Sequence, residues 1–131
     1  MEARSLVLVE TSCWIEALRK DGRLDVREKV RQLMTDGTAA WCEMILLELW
    51  NGARGDREKS HLKQLQEEIP VLPITAEVWR SSFDLARQCR RLGHTIPVAD
   101  LLIFSCGRHH RASIESMDAD FELLRRLAPP V

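Results

Sequence analysis

Acidic residues at four distant points in the chain have surroundings that ask for chemistry. Glu10 follows directly on the apolar run Leu6-Val7-Leu8-Val9, and Glu48 interrupts the apolar stretch Met44-Ile45-Leu46-Leu47 and Leu49-Trp50. Asp100 lies between Val98-Ala99 and Leu101-Leu102-Ile103, and Asp118, with Asp120 two residues on, follows the segment Ala112 to Ser116. A carboxylate among apolar neighbours loses hydration worth roughly several kcal/mol unless a cation or hydrogen-bond donors replace the water. A divalent cation meets that need, and an all-oxygen donor set suits Mg²⁺ or Mn²⁺ better than zinc. Several carboxylates with no dedicated nucleophile point towards metal-assisted hydrolysis of a phosphodiester. The sequence holds no GxxxxGK[ST] and no GxGxxG, so neither a P-loop nor a dinucleotide-binding turn is expected.

Each acid also has an ordinary role open to it. Glu10 alone would pass for a loop acid, and Glu48 could pair with Arg54. Asp100 sits in the first turn of an expected helix, where the dipole favours the ionised form and backbone amides accept acids. Asp118 or Asp120 could cap the last helix, one capping while the other coordinates.

Positioning these groups falls to alternating strands and helices. Leu6–Val9 has the character of a strand covered on both faces, after which Thr11 and Ser12 offer N-cap hydroxyls to a helix from Cys13 to Lys20, ended by Asp21-Gly22. Helices are expected over 24–34 and 43–53, with a short strand at 38–41 between them. An amphipathic helix covers 56–68 on the spacing of Leu62, Leu65 and Ile69. Pro70 and Pro73 keep the next segment extended. A long helix over 76–92 ends at Gly93, and Pro97 opens another that runs to about His110. A last strand at 112–116 and a short helix at 121–127 complete an α/β sandwich with a mainly parallel central sheet.

At 131 residues, 45% hydrophobic and 30% charged, the chain has the makings of a single domain spanning 1–131. No apolar run is long enough to cross a bilayer, and the N-terminus lacks the apolar segment of a signal peptide, so a cytoplasmic protein is expected. Cys13, Cys42, Cys89 and Cys106 are widely spaced and read as small buried residues. The net charge of −1 advertises no basic field, although Arg87, Arg90 and Arg91 precede Asp100 and Arg108 and Arg111 follow it. The four histidines are not expected as ligands of a hard cation. Trp14, Trp41, Trp50 and Trp79 are expected mostly in the core, with Trp14 or Trp50 able to line a partner groove.

Four segments in order resemble a PIN domain of the VapC toxin type: Leu6-Val-Leu-Val-Glu-Thr-Ser-Cys-Trp-Ile-Glu16, Ile45-Leu-Leu-Glu-Leu-Trp-Asn-Gly-Ala-Arg54, Thr95-Ile-Pro-Val-Ala-Asp-Leu-Leu-Ile103 and Asp118-Ala-Asp-Phe121. The resemblance implies an αβα sandwich and a Mg²⁺- or Mn²⁺-dependent endoribonuclease that cuts single-stranded RNA with a metal-activated water. It implies Glu10, Glu48, Asp100 and Asp118 as catalytic residues, with Glu10, Asp100 and Asp118 on the metal. Thr11, Ser12 and Asp120 would assist, and nearby arginines would position phosphates. It further implies a VapB-type antitoxin, an RNA substrate such as tRNA, and a homodimer. Position 10 departs from the family pattern, which has aspartate there. The extra methylene moves the oxygens outward by about one bond length, and Mg²⁺ tolerates little distortion of its shell. A catalytically impaired scaffold that binds antitoxin or RNA is therefore a second reading, and a DNA-directed nuclease on the same site a third.

Overall fold

The computed structural model describes residues 5–128. Strand β1 (Val7–Val9) is short, apolar and central, with β2 (Ala39–Ala40) on one side and β3 (Ser113–Glu115) on the other, giving the order β2-β1-β3. Both pairings are parallel, Val7 and Leu8 facing Ala39 and Ala40, and Val7, Leu8 and Val9 facing Ser113, Ile114 and Glu115. Parallel neighbours require crossovers. Helices α1 (Thr11–Leu18) and α2 (Leu24–Thr35) make the first; α3 (Glu43–Gly52), α4 (Gly55–Glu68), α5 (Ala76–Arg91) and α6 (Val98–His109) make the second. Helix α7 (Ala119–Leu127) follows β3. The expected α/β sandwich with a parallel sheet is the architecture found, and its consequence for the site is direct. Residues that follow β1 and residues that follow β3 emerge at the same edge of the sheet.

Two glycines set the ends of helices. A Cβ on Gly22 would stand 1.9 Å from the carbonyl oxygen of Glu16, so the chain can close against α1 there only without a side chain. Gly93, at φ 84°, turns the chain after α5. Helix α5 starts from Thr75, whose hydroxyl accepts the Val78 amide at 3.3 Å. The expected strand at 38–41 contracts to Ala39–Ala40, because Trp41 leaves β1 and forms a lone parallel bridge with Val71.

One apolar cluster joins the sheet to the helices on both faces, with Leu8, Trp14, Trp41, Ile45, Ile103 and Phe121 among its buried members. Trp14 and Trp41 pack ring on ring at 4.8 Å between centroids. Trp50 and Trp79 do not join them and are 37% and 45% exposed. The four cysteines are free and buried. Helix α6 is the most enclosed helix, with every residue from Asp100 to Gly107 buried, as befits a helix apolar nearly all round. Among the described residues no helix is long and apolar enough to cross a membrane.

Candidate active site

The edge beyond the carboxyl ends of β1 and β3 collects the acids. The Glu10 amide donates to the Glu115 carbonyl at 2.9 Å, carrying the β1–β3 pairing one residue past the strand. That bond leaves Glu10 as the N-cap of α1 in extended conformation and 5% exposed. Its Oε1 accepts two hydroxyls, from Ser12 at 2.5 Å and Ser116 at 2.6 Å. Each serine also accepts a backbone amide, Ser12 Oγ that of Met117 at 3.1 Å and Ser116 Oγ that of Asp118 at 2.9 Å. The start of α1 and the turn after β3 are thereby tied through one carboxylate.

Helix α1 begins at Thr11 rather than Cys13, and the Thr11 and Ser12 hydroxyls do not cap it. They are donated to carboxylates instead. Thr11, buried, gives its proton to Glu48 Oε1 at 2.7 Å, which fixes α3 to α1 at that point. Glu48 is half-buried and shares no ion pair with Arg54 among the described residues, although both line one cleft.

Asp100, Asp118 and Asp120 form the tightest acidic group, one oxygen from each lying within 4.8 Å of the others. Asp100 reaches it from the first turn of α6, buried to 7% exposure. Asp118 is the N-cap of α7, and its Oδ1 accepts the Asp120 amide at 2.9 Å. Capping and membership of the group are thus combined in one residue, with Asp120 beside it. No cation of the described residues is paired with any of the three. Burial pushes the Asp100 carboxyl up to about 7, helped by the charge of Asp118, a hydrogen bond with Asp120 and the charge of Glu10. The ionised form expected from the helix N-terminus is therefore outweighed, because desolvation and like charges act together against one set of amides. Three convergent carboxylates with no counter-charge and only oxygen donors fit a hard divalent cation. Glu10 and Glu48 lie outside this trio, Glu10 near enough to act on the Asp100 titration and Glu48 joined to the residue after Glu10 through the Thr11 hydroxyl.

Ser116 was not singled out by the sequence, although it is the residue on which Glu10 and Asp118 both depend. Its signal was a small hydroxyl immediately past the last strand and two residues before an acid. His109 and His110 stack edge to face, and His110 Nε2 lies 2.7 Å from the Pro73 carbonyl.

The PIN domain family model matches residues 7–127. Ribonuclease VapC11 of Mycobacterium tuberculosis is 32% identical over 126 residues, covering 93% of each chain. Among solved structures, a chain of VapBC2 from Rickettsia felis, bound to a promoter DNA fragment, superposes with a TM-score of 0.78 at 17% identity, covering 96% of both chains. A chain of VapBC-5 from Mycobacterium tuberculosis, a member of the VapBC family of toxin–antitoxin systems, gives a TM-score of 0.66 at 19% identity over 92% of this chain and 91% of its own. With the whole folded part of the sequence matched and its acids gathered at one sheet edge, this chain belongs to the PIN-domain family, in its VapC branch.

Proposed function

We propose that the protein is a Mg²⁺- or Mn²⁺-dependent endoribonuclease, the toxin half of a toxin–antitoxin pair, acting as one domain in the cytoplasm. The observation that carries the reading is the Asp100–Asp118–Asp120 group, three carboxylates within reach of one cation and paired with no cation among the described residues. Asp100 and Asp118 would hold the cation, with Asp120 as the third oxygen donor and Glu10 directed to the same space by Ser12 and Ser116. A bound divalent cation supplies Lewis-acid polarisation of a phosphate and an acidified water. Glu48, held by Thr11 through Oε1 alone, keeps its other oxygen to accept a proton. The 32% identity to a VapC ribonuclease supports RNA as the polymer cut. Likeness to chains of VapBC assemblies supports a VapB-type antitoxin as partner. A homodimer is part of the same reading, and the half-exposed Trp79–Phe83 pair on α5 offers it apolar surface.

The test is cleavage of a loop-containing RNA by the purified protein, with and without divalent metal, beside Asp100→Ala. We expect cutting only with metal and none by the variant. Cutting that persists in EDTA and in Asp100→Ala would overturn the assignment. Because glutamate stands at position 10 where the family pattern has aspartate, a catalytically impaired scaffold that binds antitoxin or RNA is the second reading. Equal, substantial cleavage by the protein and its Glu10→Asp variant excludes it.

A further inference from the structure

Two of the four buried thiols face each other. Cys42 is the N-cap of α3, in extended backbone and fully enclosed, at a position that usually takes a hydroxyl, carboxylate or carboxamide. The amides of Met44 and Ile45 act on its sulfur without closing a capping hydrogen bond. Cys106, equally enclosed in the second half of α6, is hydrogen-bonded to that sulfur. Its own Sγ lies 3.7 Å from the Leu72 carbonyl and 3.8 Å from that of Pro73. The bond from Cys106 outweighs burial and holds the Cys42 thiol below the ordinary range, while the same bond and burial hold Cys106 above it. Thiolate character at a helix N-terminus, beside a second thiol, is the arrangement that makes a cysteine oxidisable. The other two thiols stand differently. Burial and the charges of Glu115 and Glu10 push Cys13 up to about 11, and burial raises Cys89.

We propose that Cys42 and Cys106 are a modification site, which closes an intramolecular disulfide when the protein meets hydrogen peroxide. The Cys42 thiolate attacks one peroxide oxygen and the O–O bond breaks, leaving a sulfenic acid on Cys42 and, with a proton, one water. The Cys106 sulfur then displaces the sulfenic hydroxyl, which takes the Cys106 proton and departs as a second water. Two electrons pass from the sulfurs to the peroxide, and one S–S bond forms. The reagent enters past the extended segment between α4 and α5, whose Leu72 and Pro73 carbonyls cover Cys106. That segment is held to Trp41 by two backbone bonds, Trp41 amide to Pro70 carbonyl at 3.2 Å and Leu72 amide to Trp41 carbonyl at 2.8 Å, few enough for local opening. Closing the bond draws two sulfurs from hydrogen-bond contact to about 2.05 Å. The strain falls on α3 and α6, which carry Glu48 and Asp100 six residues from Cys42 and Cys106, about 9 Å along each helix. Resting on the reading of that site as a ribonuclease centre, the cross-link slows cleavage, since a shift of about 1 Å there costs up to about a hundredfold.

The experiment treats the reduced protein with hydrogen peroxide, titrates the remaining thiols, and weighs the peptides of a non-reducing digest. We expect the thiols of Cys42 and Cys106 to disappear together with a loss of about 2 Da, in one linked peptide pair, while those of Cys13 and Cys89 survive. Cleavage of a loop-containing RNA with divalent metal should fall about tenfold or more on oxidation and return with dithiothreitol. Cys42→Ser puts a hydroxyl at the N-cap and should cleave as the reduced parent does, before and after peroxide. Where that variant fails to fold, Cys106→Ala replaces it with the same expectation, and the peptide mapping needs neither. All four thiols surviving, a link through Cys13 or Cys89, or oxidation of Cys42 with no link overturns the inference. A Cys42–Cys106 link that leaves the rate unchanged overturns the coupling to the acids. Failure of the nuclease reading itself looks different: the reduced parent does not cut either, while the mapping still decides the cross-link.

Discussion

The site holds two kinds of carboxylate. Glu10 and Glu48 are each answered from inside the protein, by hydroxyls that α1 presents in its first turn, with Ser116 adding a second to Glu10. Asp100, Asp118 and Asp120 are not: apart from the capping bond of Asp118, they face chiefly one another. Internal hydroxyls let a carboxylate stay charged without water. Three acids converging without such donors oppose folding and persist only because the surrounding elements hold them. The first pair ties elements together through hydroxyls, and the trio is an acidic group that could hold a cation. Functional sites commonly carry such local cost.

Breaking the trio should have the largest effect. Asp100→Asn keeps the shape, removes a charge, and is expected to lower kcat/KM by about a thousandfold or more, since several kcal/mol of metal-dependent stabilisation are at stake. A rate near that of the parent, measured over a metal titration, would show that the centre lies elsewhere. Ser116→Ala tests the link between the two groups, because one hydroxyl serves both Glu10 and the Asp118 amide. Removing such an outer contact should cost about 10- to 100-fold in metal affinity or rate. An unchanged half-saturating metal concentration together with an unchanged rate would make Ser116 only a turn former. Thr11→Val removes the single hydroxyl on Glu48 and should cost about 1 kcal/mol of stability, with a smaller loss of rate than Ser116→Ala; denaturant unfolding and initial rates check both.

Much of this arrangement could be read from the residues. The continuous apolar run before Glu10 announced a strand buried on both faces, and Pro97, Gly93 and the spacing of Leu62 and Leu65 placed their helices because those signals are local. Asp100 stood out for the same reason, an acid inside an apolar helix. What eluded the sequence were long-range facts. Thr11 and Ser12 have the right chemistry for caps, and only the folded arrangement turns the Thr11 hydroxyl to Glu48 on α3 and the Ser12 hydroxyl to Glu10, away from the helix end. The titration of Asp100 was misjudged by its helix position alone, since the charges that oppose ionisation arrive from residues near 118 and 10. The thiol pair was likewise hidden, because Cys42 and Cys106 are far apart in sequence and meet only through the packing of α3 against α6.

The subtlest expected effect separates the two groups by pH without any RNA. In the absence of metal, Asp100 takes up a proton at about 7 in the folded protein, against 3.8 for the ordinary side chain. Between those values the folded state binds more protons than the unfolded one, so stability falls as pH rises. The stability that the raised value confers relative to neutral pH is full below the ordinary carboxylate range, declines through the window, and is gone above about 7. Other groups also titrate there, and Asp100→Asn removes this contribution while keeping theirs. In EDTA the variant should therefore match the parent near pH 4 and melt higher than it by a few degrees at pH 8, as a loss of like-charge repulsion requires. Saturating Mg²⁺ should narrow or reverse the gap, because it stabilises only the protein whose carboxylates can hold it. Melting curves of parent and variant that run parallel from acid to neutral pH in EDTA would mean that Asp100 is relieved by some other partner, and the contrast between the trio and the hydroxyl-bound pair would dissolve.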